Sequence, residues 1–182
     1  MIGNTALISS AASGRLINFI AFQLGWWCCV LGAANGDRFL GPFAVALIVI
    51  AHLLRARRMS AELLLVAITV ALGAAWDTLM LHSGWISYAA GFSGAFAPLW
   101  ILALWAVFAT TFNVSMHWLR ERKLLAAAFG AVAAPLSYWA GVRLGAGALI
   151  NPIAALVAIS IGWAAMMPAL MWLSQKLDGY AE

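Results

Sequence analysis

Six apolar stretches of roughly helix-spanning length, separated by short loops that hold nearly all the charge, constrain this chain more than any motif in it. The hydrocarbon core of a bilayer is about 30 Å thick and a helix rises about 1.5 Å per residue, so a span needs about 20 mostly apolar residues. The runs Leu16–Ala34, Phe39–Leu54, Leu63–Leu81, Ala97–Leu119, Leu124–Val142 and Pro152–Leu173 meet or approach that length. They are continuously apolar instead of alternating with period two, which excludes a closed barrel and leaves helices. With 65% hydrophobic and only 9% charged residues, the chain reads as a single all-α membrane domain over residues 1–182.

Lys and Arg in short loops are retained on the cytoplasmic side. A cytoplasmic N-terminus puts Arg15, Arg55, Arg57, Arg58, Arg120, Arg122, Lys123 and Lys176 inside, eight of the ten basic residues, and leaves Arg38 and Arg143 outside. Both termini are therefore expected in the cytoplasm. The second run is the shortest, about 24 Å for sixteen residues, and relies on the arginines after Leu54 to snorkel. The first run continues through Trp26-Trp27-Cys28-Cys29 without an Ala-x-Ala cleavage pattern, so it reads as a mature helix. The net charge of +4 serves topology and contact with anionic lipid, and no nucleic-acid partner is expected. Cys28 and Cys29 are adjacent, diverge on a helix and read as small apolar residues.

The prolines repeat the plan. Pro42, Pro98 and Pro152 each open an even-numbered run, where the missing N–H costs nothing, and suggest three helical hairpins. Pro135 and Pro168 lie inside runs five and six, where each should bend its helix and free a carbonyl that a neighbouring hydroxyl or water must satisfy. Small residues at three-four spacing mark packing faces: Ala103, Ala106, Thr110, Asn113 and His117 on run four; Gly130, Ala134, Ser137 and Gly141 on run five; Ala154, Ala158, Gly162, Ala165 and Ala169 on run six. Such faces serve packing within one bundle and packing against a second copy or another membrane subunit equally.

Ionisable and amide groups at membrane depth ask for partners. An outer polar pocket is expected from Asp77, His82, Tyr138 and Arg143, with Trp76, Trp85 and Trp139 as walls. Within it Asp77 and Arg143 are expected to pair, as a structural ion pair docking the third and fifth helices or, alternatively, as a headgroup-binding or catalytic site. An inner polar cluster is expected from Asn18, Gln23, Asn113 and His117, with Asn18 and Asn113 bonded to each other and His52 and His117 reaching the interface. The loop 82–96, with Gly84, Gly91 and Gly94 among aromatic residues and no formal charge, reads as an anchor at the outer interface or a lid folded over the bundle. No metal-ligand spacing, Walker loop, dinucleotide fingerprint or haem-attachment motif is present, so neither a metal nor a cofactor is expected.

The residues Asn18, Phe22-Gln23, Trp26-Trp27 and Leu31-Gly32, then Gly73 with Asp77, Pro98-Leu99-Trp100 with Leu104-Trp105 and Phe108, and Pro135-Leu136-Ser137-Tyr138 with Gly141 and Leu144-Gly145-Ala146 give the chain its character. Along nearly its whole length it resembles the bacterial family catalogued as domain of unknown function 2878. That resemblance implies a small, multi-pass inner-membrane protein of Gram-negative bacteria with no assigned activity and no assigned catalytic residues. It also implies an association with fatty-acyl modification, and so membrane lipids as partners. Three functions follow as expectations: a lipid-associated accessory protein or lipid-modifying enzyme, a small-solute transporter or channel, and a non-catalytic membrane subunit or scaffold.

Overall fold

The computed structural model describes the backbone of residues 2–90 and 95–181, and the side chains of these from residue 12 onward. Six α-helices run through the described residues: α1 (Ile2–Ala34), α2 (Leu40–Arg55), α3 (Met59–His82), α4 (Leu99–Ala109), α5 (Lys123–Arg143) and α6 (Pro152–Lys176). Four segments are long and apolar enough to cross a membrane, Ala12–Ala34 of α1 and all of α3, α5 and α6, whereas α2 and α4 are shorter apolar helices. Large apolar side chains face outward all round the bundle; Leu124 is 89% exposed and Ile153 79%. A surface of that kind is the mark of a membrane protein, because water would penalise every one of these side chains.

Two boundaries differ most from those expected. The backbone of α1 is helical from Ile2, well before Leu16. Helix α4 stops at Ala109, ten residues short of Leu119, and continues as consecutive turns into a 3-10 turn at His117–Leu119. Thr110 and Thr111 end it by donating their hydroxyls to the Val107 and Phe108 carbonyls, a local bond that competes with the helical ladder. The chain is also not wholly helical. Two strands, β1 (Ile86–Tyr88) and β2 (Gly147–Leu149), pair antiparallel with Ser87 opposite Ala148. The ribbon folds the loop before α4 back onto the bundle, and Trp100 Nε1 donates to Ala89 O at 2.9 Å to hold it there. Gly91 and Gly94 of that loop lie outside the described residues.

Helix packing follows the small residues in part. Helices α5 and α6 form the closest pair, and a Cβ at Gly130 would fall onto the Trp163 carbonyl. Gly73 similarly makes room for the Trp105 ring. On α6, however, the buried face is Ala155, Ile159, Trp163, Met167 and Leu170, one step round from the expected small-residue stripe, whose members are half-buried or exposed. The gap that Gly130 leaves on α5 is filled by the bulk on α6. Pro135 behaves as its chemistry requires: the Ala131 carbonyl, four residues earlier and deprived of its helical donor, accepts from the Ser160 hydroxyl on α6.

Candidate functional site

Asp77 sits on α3 with no solvent exposure. Its Oδ1 accepts from the Tyr88 hydroxyl at 2.5 Å and the Tyr138 hydroxyl at 2.6 Å, and its Oδ2 accepts from Trp105 Nε1 at 2.6 Å. An ionised carboxylate is acceptor-only, and three donors on two oxygens are what that form needs when buried. The expected pairing with Arg143 is therefore corrected. Arg143 is exposed at the end of α5, with its guanidinium carbon 5.8 Å from the centroid of the Trp139 ring. At the bundle edge the guanidinium keeps its solvation and an aromatic face, whereas burial beside Asp77 would strip the first of these. His82 is likewise outside the cluster: it is exposed, and its Nε2 lies 2.7 Å from Ala95 O. Of the four expected outer residues the structure brings Asp77 and Tyr138 together, and adds Tyr88 and Trp105.

Beside this cluster lies a cavity of about 650 Å³, within the range of roughly 300–1,000 Å³ of small-molecule sites. Phe22, Trp26 and Val30 of α1 wall one side, Phe129, Ala133 and Ser137 of α5 the other, and Trp105 and Phe108 of α4 lie between them. Helix α1 packs on α2 and α4 while α5 packs on α6, so the cavity occupies the space between α1 and α5. The Trp26 Nε1 to Ser137 Oγ hydrogen bond, 3.0 Å, crosses it. Its rim includes Phe19, Trp27 and Leu136, all exposed on the bundle's flank, so it opens sideways between helices. Trp76, Trp85 and Trp139, the expected walls, do not line it; Trp105 and Trp163 do, stacked at 4.8 Å. Among the described residues, Asp77 is the one formally charged residue lining the cavity.

A second buried polar cluster closes the opposite end of the bundle. Glu62, wholly buried on α3, lies 2.8 Å from Nε2 of His52 on α2, accepts from the Asn113 side-chain amide, and accepts from the Gly179 backbone N–H at 2.8 Å. Arg120 donates to Asn113 Oδ1 and, at 2.7 Å, to Asp178. The Tyr180 hydroxyl donates to the His52 carbonyl at 2.6 Å. Burial, then the Glu62 carboxylate, push that hydroxyl up to about 12, so it remains a donor through neutral pH.

The expected inner cluster is thus divided. Asn113 belongs to the Glu62 network. Asn18 instead donates to the Thr110 carbonyl at 3.1 Å and accepts from the Ser115 hydroxyl at 2.7 Å, splinting the unwound stretch after α4. Gln23 is exposed and lines the cavity, and His117 is exposed. His52, expected to reach the interface, is buried. Glu62 and Asp178 were not expected in a site, and Arg120 was read only as a topology-setting charge, because all three sit in or beside charged loops, where solvation is the ordinary assumption. The one available signal was Glu62, which stands directly before the apolar run Leu63–Leu81. Among the described residues no three His, Cys, Asp or Glu side chains are grouped to hold a metal.

The tail contacts carry a pH expectation. Burial raises the Asp178 carboxyl, but the Arg120 guanidinium and the Tyr180 and Ala181 backbone N–H groups outweigh it and hold it below the ordinary carboxylate value. A group depressed on folding stabilises above its unfolded pKa, about 3.9 for Asp, and loses that contribution as pH falls through the folded value. Amide hydrogen exchange of residues 178–181, corrected for intrinsic rates, should show protection between pH 5 and 8 and its loss only below about pH 4. Loss of protection already at neutral pH would show that the Asp178 carboxylate does not hold the tail.

Comparison with curated proteins and with solved structures gave no significant match. Residues 15–169 match the family described as "Protein of unknown function (DUF2878)", and the chain belongs to that family.

Proposed function

We propose that this is a multi-pass protein of a bacterial inner membrane, crossing six times as three hairpins with both termini in the cytoplasm, and that its lateral cavity holds a membrane lipid. The cavity itself is the observation that carries the reading. A large apolar pocket facing sideways from a lipid-exposed bundle draws its ligand from the bilayer without exposing an acyl chain to water. Eight of ten basic residues on one side of the membrane support the topology. An accessory or lipid-presenting role fits better than catalysis at Asp77, since its carboxylate oxygens are occupied by three donors and, among the described residues, no unengaged base lines the pocket.

Transport ranks second, on the interruption of α4. Unwound backbone at membrane depth lines pathways in transporters. Here the turn is already splinted: the Thr110 carbonyl accepts from Asn18, and the Thr111 carbonyl from the Val114 and Met116 N–H groups. Little of it is left for a solute.

The test is extraction of lipid from protein purified in mild detergent, compared by mass spectrometry with the bulk membrane extract. One lipid species should be enriched, and Ala133→Trp, which puts an indole into the cavity, should remove it while the protein still elutes as a single folded species. A bound-lipid profile equal to bulk, or one unchanged by Ala133→Trp, overturns the reading.

A further inference from the structure

We infer that Gln23 is the recognition residue of the cavity, and that the lipid it selects carries a hydroxyl or carbonyl oxygen in the middle of its hydrocarbon chain. This rests on the cavity's being a lipid site and deepens that reading by naming the chemical class of the ligand.

Bonding state singles the residue out. Among the described amide, hydroxyl and carboxyl side chains lining the cavity, Gln23 alone has no hydrogen-bond partner. Tyr88 and Tyr138 bond Asp77. Thr111 bonds the Phe108 carbonyl, Ser115 the Asn18 side chain and Ser137 the Trp26 indole. Gln23 is exposed as well as lining the cavity, so it is open to an occupant.

Depth decides what it meets. Gln23 is the midpoint of the span Ala12–Ala34, about 16 Å of helix from either end. Its side chain is far too short to snorkel over that distance, and an amide left without a partner in hydrocarbon is costly. Ala133 is likewise the midpoint of α5 and lines the opposite wall. The Trp26–Ser137 bond sits one helical turn beyond both residues, which sets the two midpoints at one level across the cavity. The small Ala133 side chain leaves room there for a group seated on Gln23.

An ordinary phospholipid offers nothing to an amide at that level. Its esters and head lie at the boundary of a hydrocarbon core about 30 Å thick, about 15 Å from the middle. An extended chain advances about 1.3 Å per carbon, the projection of a C–C bond of about 1.5 Å, so Gln23 meets methylenes at about the twelfth carbon. A hydroxyl at that position donates to the amide oxygen and accepts from its N–H, and a ketone accepts alone. Either group, unpaired in the surrounding hydrocarbon, gains a partner on entering the cavity.

Methyl esters hold the head constant and vary the chain. The intact protein in nanodiscs of saturated phosphatidylcholine is loaded with methyl 9,10-dibromostearate, whose bromines quench tryptophan by contact. The saturable part of the quenching is then relieved with methyl stearate, methyl 12-hydroxystearate or methyl 2-hydroxystearate, compared at equal mole fraction in the bilayer. The 12-hydroxy ester should displace the quencher at about fivefold lower concentration than methyl stearate, the equivalent of one neutral hydrogen bond. The 2-hydroxy ester, with its oxygen beside the head, should do no better than methyl stearate. Gln23→Leu, which breaks no hydrogen bond among the described residues, should abolish the advantage of the 12-hydroxy ester. A 2-hydroxy ester as strong as the 12-hydroxy ester, or equal displacement by all three, overturns the mid-chain assignment and leaves the lipid reading standing. A preference for the 12-hydroxy ester that survives in Gln23→Leu overturns the role of Gln23. A dimer that Gln23→Leu dissociates, with ester preference unchanged, assigns the amide to a second copy and overturns it equally. No saturable quenching at all overturns the lipid reading itself. Should Gln23→Leu fail to fold, the three-ester comparison on the unaltered protein still decides the chain.

Discussion

Asp77→Leu is expected to lose its native fold in mild detergent, while Asp77→Asn folds with a lowered melting temperature. The leucine removes the acceptor of three buried donors, the Tyr88 and Tyr138 hydroxyls and the Trp105 N–H. Each buried group left unsatisfied costs about 1–3 kcal/mol. Even with imperfect additivity the loss approaches the about 5–15 kcal/mol that holds a typical domain together. Asparagine keeps one carbonyl oxygen for the two hydroxyls and turns an amide N–H2 toward the Trp105 N–H, so one donor meets another at a cost of about 1–3 kcal/mol. The decisive comparison is a quadruple variant in which Asp77→Leu is joined by Tyr88→Phe, Tyr138→Phe and Trp105→Phe. With the donors gone as well as the acceptor, folded yield on gel filtration should recover substantially. A single Asp77→Leu that melts with the unaltered protein would mean the cluster contributes nothing to the fold.

Glu62→Leu is expected to produce the second largest effect, about 3–5 kcal/mol, the usual cost of removing one partner of a buried charged network. Three groups lose their acceptor: His52 on α2, Asn113 after α4, and the Gly179 backbone N–H in the tail. The consequence reaches beyond melting temperature. Residues 177–181 stay folded against the bundle through Glu62, Arg120 and Arg58, the last bonding the Asp178 carbonyl. Glu62→Leu should therefore make the tail susceptible to carboxypeptidase at neutral pH, whereas Asp77→Asn should not. Tails equally resistant in both variants would show that Arg120 and Arg58 hold the segment alone.

The two clusters differ in how far they were readable from the chain. Asp77, as a carboxylate in the middle of an apolar run, announced that a partner must exist, and Tyr138 fell at matching depth. Arg143 was the natural partner by charge, yet it sits at a helix end where it keeps its solvation, and neutral donors took its place. Tyr88 was hidden because its position depends on strand pairing: Gly147 lets the Ser87 carbonyl approach where a Cβ would collide, and that close pairing carries Tyr88 down to Asp77. At the other end, Asn113 was visible as a polar residue in an apolar run. Asp178 and Tyr180 follow the last apolar run, and nothing in a linear reading makes a tail turn back. The interruption of α4 escaped for a different reason: Thr110 and Thr111 are ordinary in an apolar run until their hydroxyls claim local carbonyls.

By itself the sequence determined where the apolar segments lie, that most of their length is helical, that their surface must face something other than water, and that Pro135 would need a hydroxyl or a water for its freed carbonyl. These are local properties, fixed by composition over about 20 residues and by the covalent chemistry of single residues. The tertiary structure alone decided which donors meet Asp77, which acceptor holds the tail, and that a cavity stays open between α1 and α5. Those partners lie between 10 and 117 residues apart in the chain. Depth in a membrane places a polar group at a level; only the lateral arrangement of the helices chooses which group it finds there.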